Sequence, residues 1–204
     1  MTCIFLNPVV EQMYERETLH RFLRERGFLP VSCRENWGAV VREKYRKAAE
    51  ETSGAVADVR CPQAARCVRK LGCREGLHLP DIEPILFHCA REISARPEFI
   101  GRWKLITTPC RILAEEGNAL GLPETEFLTW NDFLYRAGET FPGRKLEKSP
   151  IPPGFFKGLE NGESLTGTET IESYLEEGMW KGKKIVEMLC CSGGCHNGDG
   201  VIEK

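Results

Sequence analysis

Short apolar runs alternate along this chain with longer stretches in which apolar residues recur at helical spacing. Cys3–Leu6 reads as a strand, and residues 9–26 read as a helix whose apolar side is Val9, Val10, Met13, Leu19, Phe22 and Leu23. A strand at Phe28–Ser32, a helix at Trp37–Glu50 and a strand at Ala55–Val59 follow. Further strands are expected at Pro84–Phe87, Leu105–Thr107, Phe127–Thr129 and Lys184–Leu189, with helices at about 63–71, 109–117, 131–137 and 168–178 between them. This alternation predicts an α/β fold with largely parallel sheet and flanking helices. Two lobes are expected, 1–98 and 99–204, the second carrying the terminal cysteines and the metal site lying between the two.

Residues Phe141–Gly167 are rich in Pro and Gly and read as a long ordered connection. Thr166 with Glu169 three residues later has the pattern of a capping box at a helix start.

Composition narrows the class. A 204-residue chain with 41% hydrophobic and 28% charged residues can bury a substantial core. A net charge of -2 provides no electrostatic footprint for nucleic acid. The run Arg42–Arg46 is balanced by neighbouring glutamates and reads as a solvated helix face. No stretch reaches the roughly 18 apolar residues of a membrane span. The first residues, MTCIFLNP, lack a basic stretch followed by an apolar one, so a cytoplasmic setting is expected.

Ten cysteines change the picture. In a reducing compartment they point to thiols with a metal role rather than to disulfides. Four of them follow strands: Cys61 in DVRCP, Cys110 in TTPC, and Cys191 and Cys195 after Lys184–Leu189. The carboxyl ends of parallel strands share one edge of a sheet, where α/β proteins place their ligands. Gly193 and Gly194 let the backbone come close to an inorganic centre. Four thiolates suit a [4Fe–4S] cluster or a structural zinc. Cys3, Cys33 and Cys89 lie in or beside apolar runs and read as packing residues, and Cys67 and Cys73 as packing or surface thiols.

The last segment, VEMLCCSGGCHNGDG, resembles the C-terminal cluster motif of the iron-only ([FeFe]) hydrogenase large subunit, a strand followed by C-P-G-G-C-x-N-G-G-G. TTPC resembles the family's M-P-C motif and DVRCP its T-S-C-C-P motif, while EFLTWNDFLYRAG and SLTGTETIESYLEEG are similar to segments that follow the second motif and precede the last. The resemblance spans residues 55–200 in the family's order. It implies that Cys61, Cys110, Cys191 and Cys195 hold a [4Fe–4S] cluster, and that Cys195 stands where the family bridges to a two-iron centre. The chain departs from the family at two positions: Arg60 replaces a proton-relaying cysteine, and Leu113 replaces a lysine. The resemblance thus implies a cluster protein without the two-iron centre, acting with a redox partner protein in electron transfer, redox sensing or cofactor handling. The alternatives are a hydrogenase-like oxidoreductase with a second metal centre, near which Cys190, His196 and Arg60 would lie, and a zinc-stabilised interaction protein.

Overall fold

The computed structural model describes residues 1–70 and 76–196. In chain order the elements are β1 (Thr2–Phe5), α1 (Pro8–Met13), α2 (Arg16–Glu25), β2 (Phe28–Val31), α3 (Trp37–Glu51), β3 (Ala55–Ala57), α4 (Pro62–Lys70), β4 (Leu77–His78), α5 (Ile85–Ala95), β5 (Lys104–Thr108), α6 (Arg111–Asn118), β6 (Thr125–Thr129), α7 (Trp130–Ala137), β7 (Gly162–Thr166), α8 (Thr168–Glu177) and β8 (Ile185–Leu189). They form two four-stranded sheets, ordered β2-β1-β5-β6 and β4-β3-β8-β7, in which every pairing is parallel. The fold is α/β, as the alternating pattern predicts.

Each sheet belongs to its own compact unit. The first comprises Met1–Glu35 and Leu86–Ile151 and also includes His196; the second comprises Asn36–Ile85 and Pro152–Cys195. The boundary expected near residue 98 falls inside the first unit, because each unit draws on both halves of the chain.

The first unit has apolar layers on both faces of its sheet. Ile4, Leu105 and Leu128 face α1, α2 and α7, whereas Cys3, Ile106 and Phe127 face α5 and α6. This alternation follows from the period of two along a strand. Two helices replace the single one expected over 9–26. Tyr14 takes an extended conformation between them, and its hydroxyl donates to the Phe141 carbonyl at 2.6 Å while accepting the Trp130 indole N–H at 2.9 Å. Glu15 then caps α2 by accepting the N–H groups of Glu17 and Thr18.

The second unit repeats the two-faced arrangement. Ala55, Ala57, Val186 and Met188 pack with α4 and α8, and Val56 and Ile185 pack with α3 and Phe156. Three local expectations differ from what is found. The strand expected at Pro84–Phe87 is absent: Ile85–Phe87 opens α5, whose buried Phe87, Ala90 and Ile93 follow helical spacing. The connection Phe141–Gly167 ends in the edge strand β7, where Leu165 is the one buried residue and no alternation marks the strand. Thr166 is its last residue, and α8 starts after Gly167 with no side-chain cap.

Candidate functional site

The two central strands of the first sheet define a topological switch point, because the connections from them leave in opposite directions. In the first unit β1 runs through α1 and α2 to β2 on one side, while β5 runs through α6 to β6 on the other. Asn7 bridges the gap between the strand ends: its backbone N–H donates to Thr107 Oγ1 at 2.8 Å, and its side-chain oxygen caps α1. Cys110 stands at the end of β5. In the second unit the central strands are β3 and β8, with Cys61 beyond the first and Cys190, Cys191 and Cys195 beyond the second.

Cys61 and Cys110 occupy equivalent positions in these separate units. Each stands immediately before a helix that follows a central strand. The Cys110 carbonyl accepts the Ala114 N–H at 3.2 Å, and its sulfur accepts the Leu113 N–H at 3.4 Å. The Cys61 carbonyl accepts the Ala65 N–H at 3.0 Å, and its sulfur accepts the Ala64 N–H. A cap position with N–H groups aimed at the sulfur favours the thiolate, the form that ligates metals.

The surroundings of Cys61 go further. Its sulfur takes a hydrogen bond from the Cys190 thiol and another from the Cys190 backbone N–H. These hydrogen bonds hold the Cys61 thiol well below its ordinary value despite burial, which acts the other way. Cys190 moves in the opposite direction, raised by its hydrogen bond to Cys61 and by burial. Cys67, on α4, also contacts the Cys190 sulfur. The contact between the two sulfurs thus pushes Cys61 and Cys190 in opposite directions.

No family model, curated protein or solved structure matches the chain.

The likeness to iron-only hydrogenases rests on the motif residues alone. Of the four residues it assigns to a cluster, Cys61, Cys191 and Cys195 belong to the second unit and Cys110 to the first. Cys61 and Cys191 lie beyond the ends of adjacent strands, and Cys195 closes the turn after them, in which Gly194 N–H donates to the Cys191 carbonyl at 3.3 Å. Gly193 has φ +74°, a conformation that side-chain-bearing residues rarely adopt, and its N–H faces Thr166 Oγ1 at 3.3 Å. Among the described residues no three His, Cys, Asp or Glu side chains are gathered as a ready metal site. At both Cys61 and Cys110 a sulfur stands at a helix start with a backbone N–H of the first helical turn directed at it.

The residues read as packing thiols sort as follows. Cys3 is fully buried within the first unit. Cys33 and Cys89 are a hydrogen-bonded pair, which together with burial raises Cys89 above its ordinary value. Cys73 lies outside the described residues.

Arg60, at the position of the family's relay cysteine, is the centre of a buried ionic network. Its Nη2 lies 2.7 Å from Asp58 Oδ2 and 2.9 Å from Glu187 Oε1, and both carboxylates are fully buried. The guanidinium stacks on Phe155 with 3.8 Å to the ring centroid. Asp58 also accepts the Tyr45 hydroxyl, and Glu187 accepts the N–H groups of Gly154 and Phe155 and the Ser164 hydroxyl. This network fastens the segment after Pro152 to the sheet. Leu113, at the position of the family's lysine, is buried in the apolar layer of the first unit.

Sequence reasoning places Cys190 only beside an alternative second metal centre, and its contact with Cys61 is not foreseen there. Along β8 the residues alternate, so Val186 and Met188 share the face that packs with α4 and α8, and Cys190 just beyond the strand packs against the same layer.

Proposed function

We propose that this chain is a [4Fe–4S] cluster-binding protein related to the iron-only hydrogenases, with Cys61, Cys110, Cys191 and Cys195 as ligands. The observation that carries the reading is the equivalence of Cys61 and Cys110, two half-buried sulfurs at helix starts, each beyond the central strand of its own sheet. Ligands bind at such strand ends in open α/β sheets. Bound there, the cluster would supply one-electron redox chemistry, and the residues around it would tune its potential through hydrogen bonding and burial.

The role is electron transfer, redox sensing or cofactor handling with a partner protein, in the cytoplasm. Arg60 is committed to two carboxylates and relays no proton, and Leu113 offers no side-chain hydrogen bond, so hydrogen turnover is not part of the proposal. Among the described residues no helix is long and apolar enough to cross a membrane.

Anaerobic purification with an absorption spectrum and iron and sulfide counts tests the proposal. Brown protein that bleaches in Cys61→Ser and Cys110→Ser is the expected outcome. Colourless protein with stoichiometric zinc would select the zinc-stabilised alternative.

A second reading is favoured by the direct contact of Cys61 and Cys190. Two cysteine sulfurs in hydrogen-bond contact are the arrangement of a dithiol that cycles to a disulfide. Metal-free protein in which peroxide treatment removes two hydrogens and protects both cysteines from alkylation would select it.

A further inference from the structure

Cys33 and Cys89 stand near the points where the chain leaves the first unit, after Glu35, and re-enters it, at Leu86. Cys33 follows β2, and Cys89 lies in the second turn of α5. The residues on either side of Cys33 are fastened to α5 through their backbone. The Ser32 carbonyl accepts from Arg96 Nη1 at 2.8 Å, and the N–H groups of Arg34 and Glu35 donate to the two oxygens of Glu92 at 2.7 and 3.2 Å. Cys89, Glu92 and Arg96 follow one another at helical spacing, hence along one face. Arg34 and Arg96 also share the Glu98 carboxylate, at 2.6 and 2.8 Å. Cys33 is thus pinned on both sides to the face of α5 that carries Cys89, and the two thiols meet in a hydrogen bond. This contact lies within the first unit and takes no part in the cluster reading.

We propose that Cys33 and Cys89 are a reversible oxidation site, closed to a disulfide by a peroxide, which clasps the exit of β2 onto α5. Cys33 is half-buried whereas Cys89 is only 6% exposed, so peroxide meets Cys33 first. The Cys33 sulfur attacks one peroxide oxygen and the O–O bond breaks. Cys33 becomes a sulfenic acid, and its thiol proton joins the departing hydroxide as water. The Cys89 sulfur then attacks the Cys33 sulfur, the S–S bond forms and the S–O bond breaks. The Cys89 proton leaves with that hydroxyl as a second water. The two thiols give up two electrons and two hydrogens, and peroxide takes both. A thiol reductant reverses the step by exchange. In the reduced protein only hydrogen bonds and ion pairs hold residues 32–35 to α5. In the oxidised protein a covalent bond does so, and it closes Asn36–Ile85 of the second unit into a loop of chain anchored at both ends.

The experiment treats the anaerobically isolated full chain with hydrogen peroxide, blocks remaining thiols with iodoacetamide in denaturant, and maps tryptic peptides by mass spectrometry. Cys33 and Cys89 fall in the separate peptides Gly27–Arg34 and Glu75–Arg91, neither of which holds another cysteine. The expected result is these two peptides joined with the loss of two hydrogens and released again by dithiothreitol. Cys33→Ser should abolish the joined species and leave Cys89 open to alkylation. Limited trypsin cleavage of the native protein after Arg34, whose side chain is 69% exposed, reads the clasp itself. It should slow in oxidised wild type, recover on reduction, and ignore peroxide in Cys33→Ser. Alkyl label on both peptides after peroxide overturns the proposal, as does a sulfinic Cys33 beside an alkylated Cys89. Because a Cys61–Cys190 disulfide maps to other peptides, finding it without the Cys33–Cys89 species overturns the proposal too. A joined species with cleavage after Arg34 unchanged would overturn the clasp.

Discussion

Arg60 Nη2 lies 2.9 Å from Glu187 Oε1, joining the exit of β3 to the centre of β8 through a charge pair with a fully buried carboxylate. The same nitrogen serves Asp58, so one cation faces two anions inside the second unit. Substituting Arg60 by Met leaves both carboxylates buried without a counter-charge, a loss of about 3–5 kcal/mol. Urea unfolding of the two proteins side by side measures it. A midpoint unchanged from wild type would show that the pair contributes nothing.

The same pairing bears on hydrogen chemistry. A guanidinium held by two carboxylates does not exchange protons at physiological pH. The chain should neither evolve nor take up hydrogen with an artificial electron donor. Infrared bands of carbonyl and cyanide ligands after exposure to maturation factors, accompanied by turnover, would refute that expectation.

Cys3 contrasts with the thiols proposed as ligands. It is fully buried in β1 among Ile106 and its neighbours. Cys3→Ser places a hydroxyl in that apolar layer and should cost about 1–3 kcal/mol. The absorption spectrum of anaerobic protein should remain unchanged, whereas Cys110→Ser should bleach it. Thermal unfolding and the spectrum together distinguish the two classes.

Gly117 lets α6 lie close on β6. A methyl group there would sit 2.5 Å from the Phe127 ring. On an exposed helix, Ala would be favoured over Gly by about 1 kcal/mol. Here the clash decides the sign, and Gly117→Ala should destabilise by about 1–3 kcal/mol. A raised melting temperature in that variant would show that the helix shifts freely.

Asp132 makes stability acid-sensitive. Thr129 caps α7 by accepting the Asp132 N–H at 3.1 Å, and its hydroxyl donates to Asp132 Oδ2 at 2.7 Å. That hydrogen bond, followed by the Arg111 guanidinium, holds the carboxyl below its usual value. The resulting stabilisation is fully present above the unfolded-state value of about 4 and is lost as pH falls through the lower folded-state value. Urea midpoints recorded on descending pH should fall more steeply in wild type than in Asp132→Asn. Parallel curves would dismiss the contribution.

Much of this architecture is legible in the residue pattern, and its gaps have physical causes. Leu105–Thr107 and Lys184–Leu189 are apolar enough to be found as central strands, buried on both faces. The edge strand β7 is mostly solvent-facing, so its pattern carries no such mark. The helix opening at Ile85 shares its first apolar triplet with what a strand would show. The strand-end positions of Cys61 and Cys110 follow from β3 and β5, but the contact of Cys61 with Cys190 depends on the β3–β8 pairing, which brings residues far apart in the chain together. No local pattern encodes that pairing.

Placement of β8 between β3 and β7 has a bearing on how the protein is made. During synthesis the first unit's strands have all emerged once β6 is complete, and that sheet can close while the ribosome is still working. The second sheet must wait: β3 and β4 are made early but remain without their inner neighbour until Ile185–Leu189 is translated. Through that interval the bare edge of β3, the Asp58 and Arg60 side chains and the Cys61 sulfur stand open to water, to oxidants and to other nascent chains. Chains halted before residue 185 should therefore expose more strand edge and apolar surface than chains in which β8 is complete.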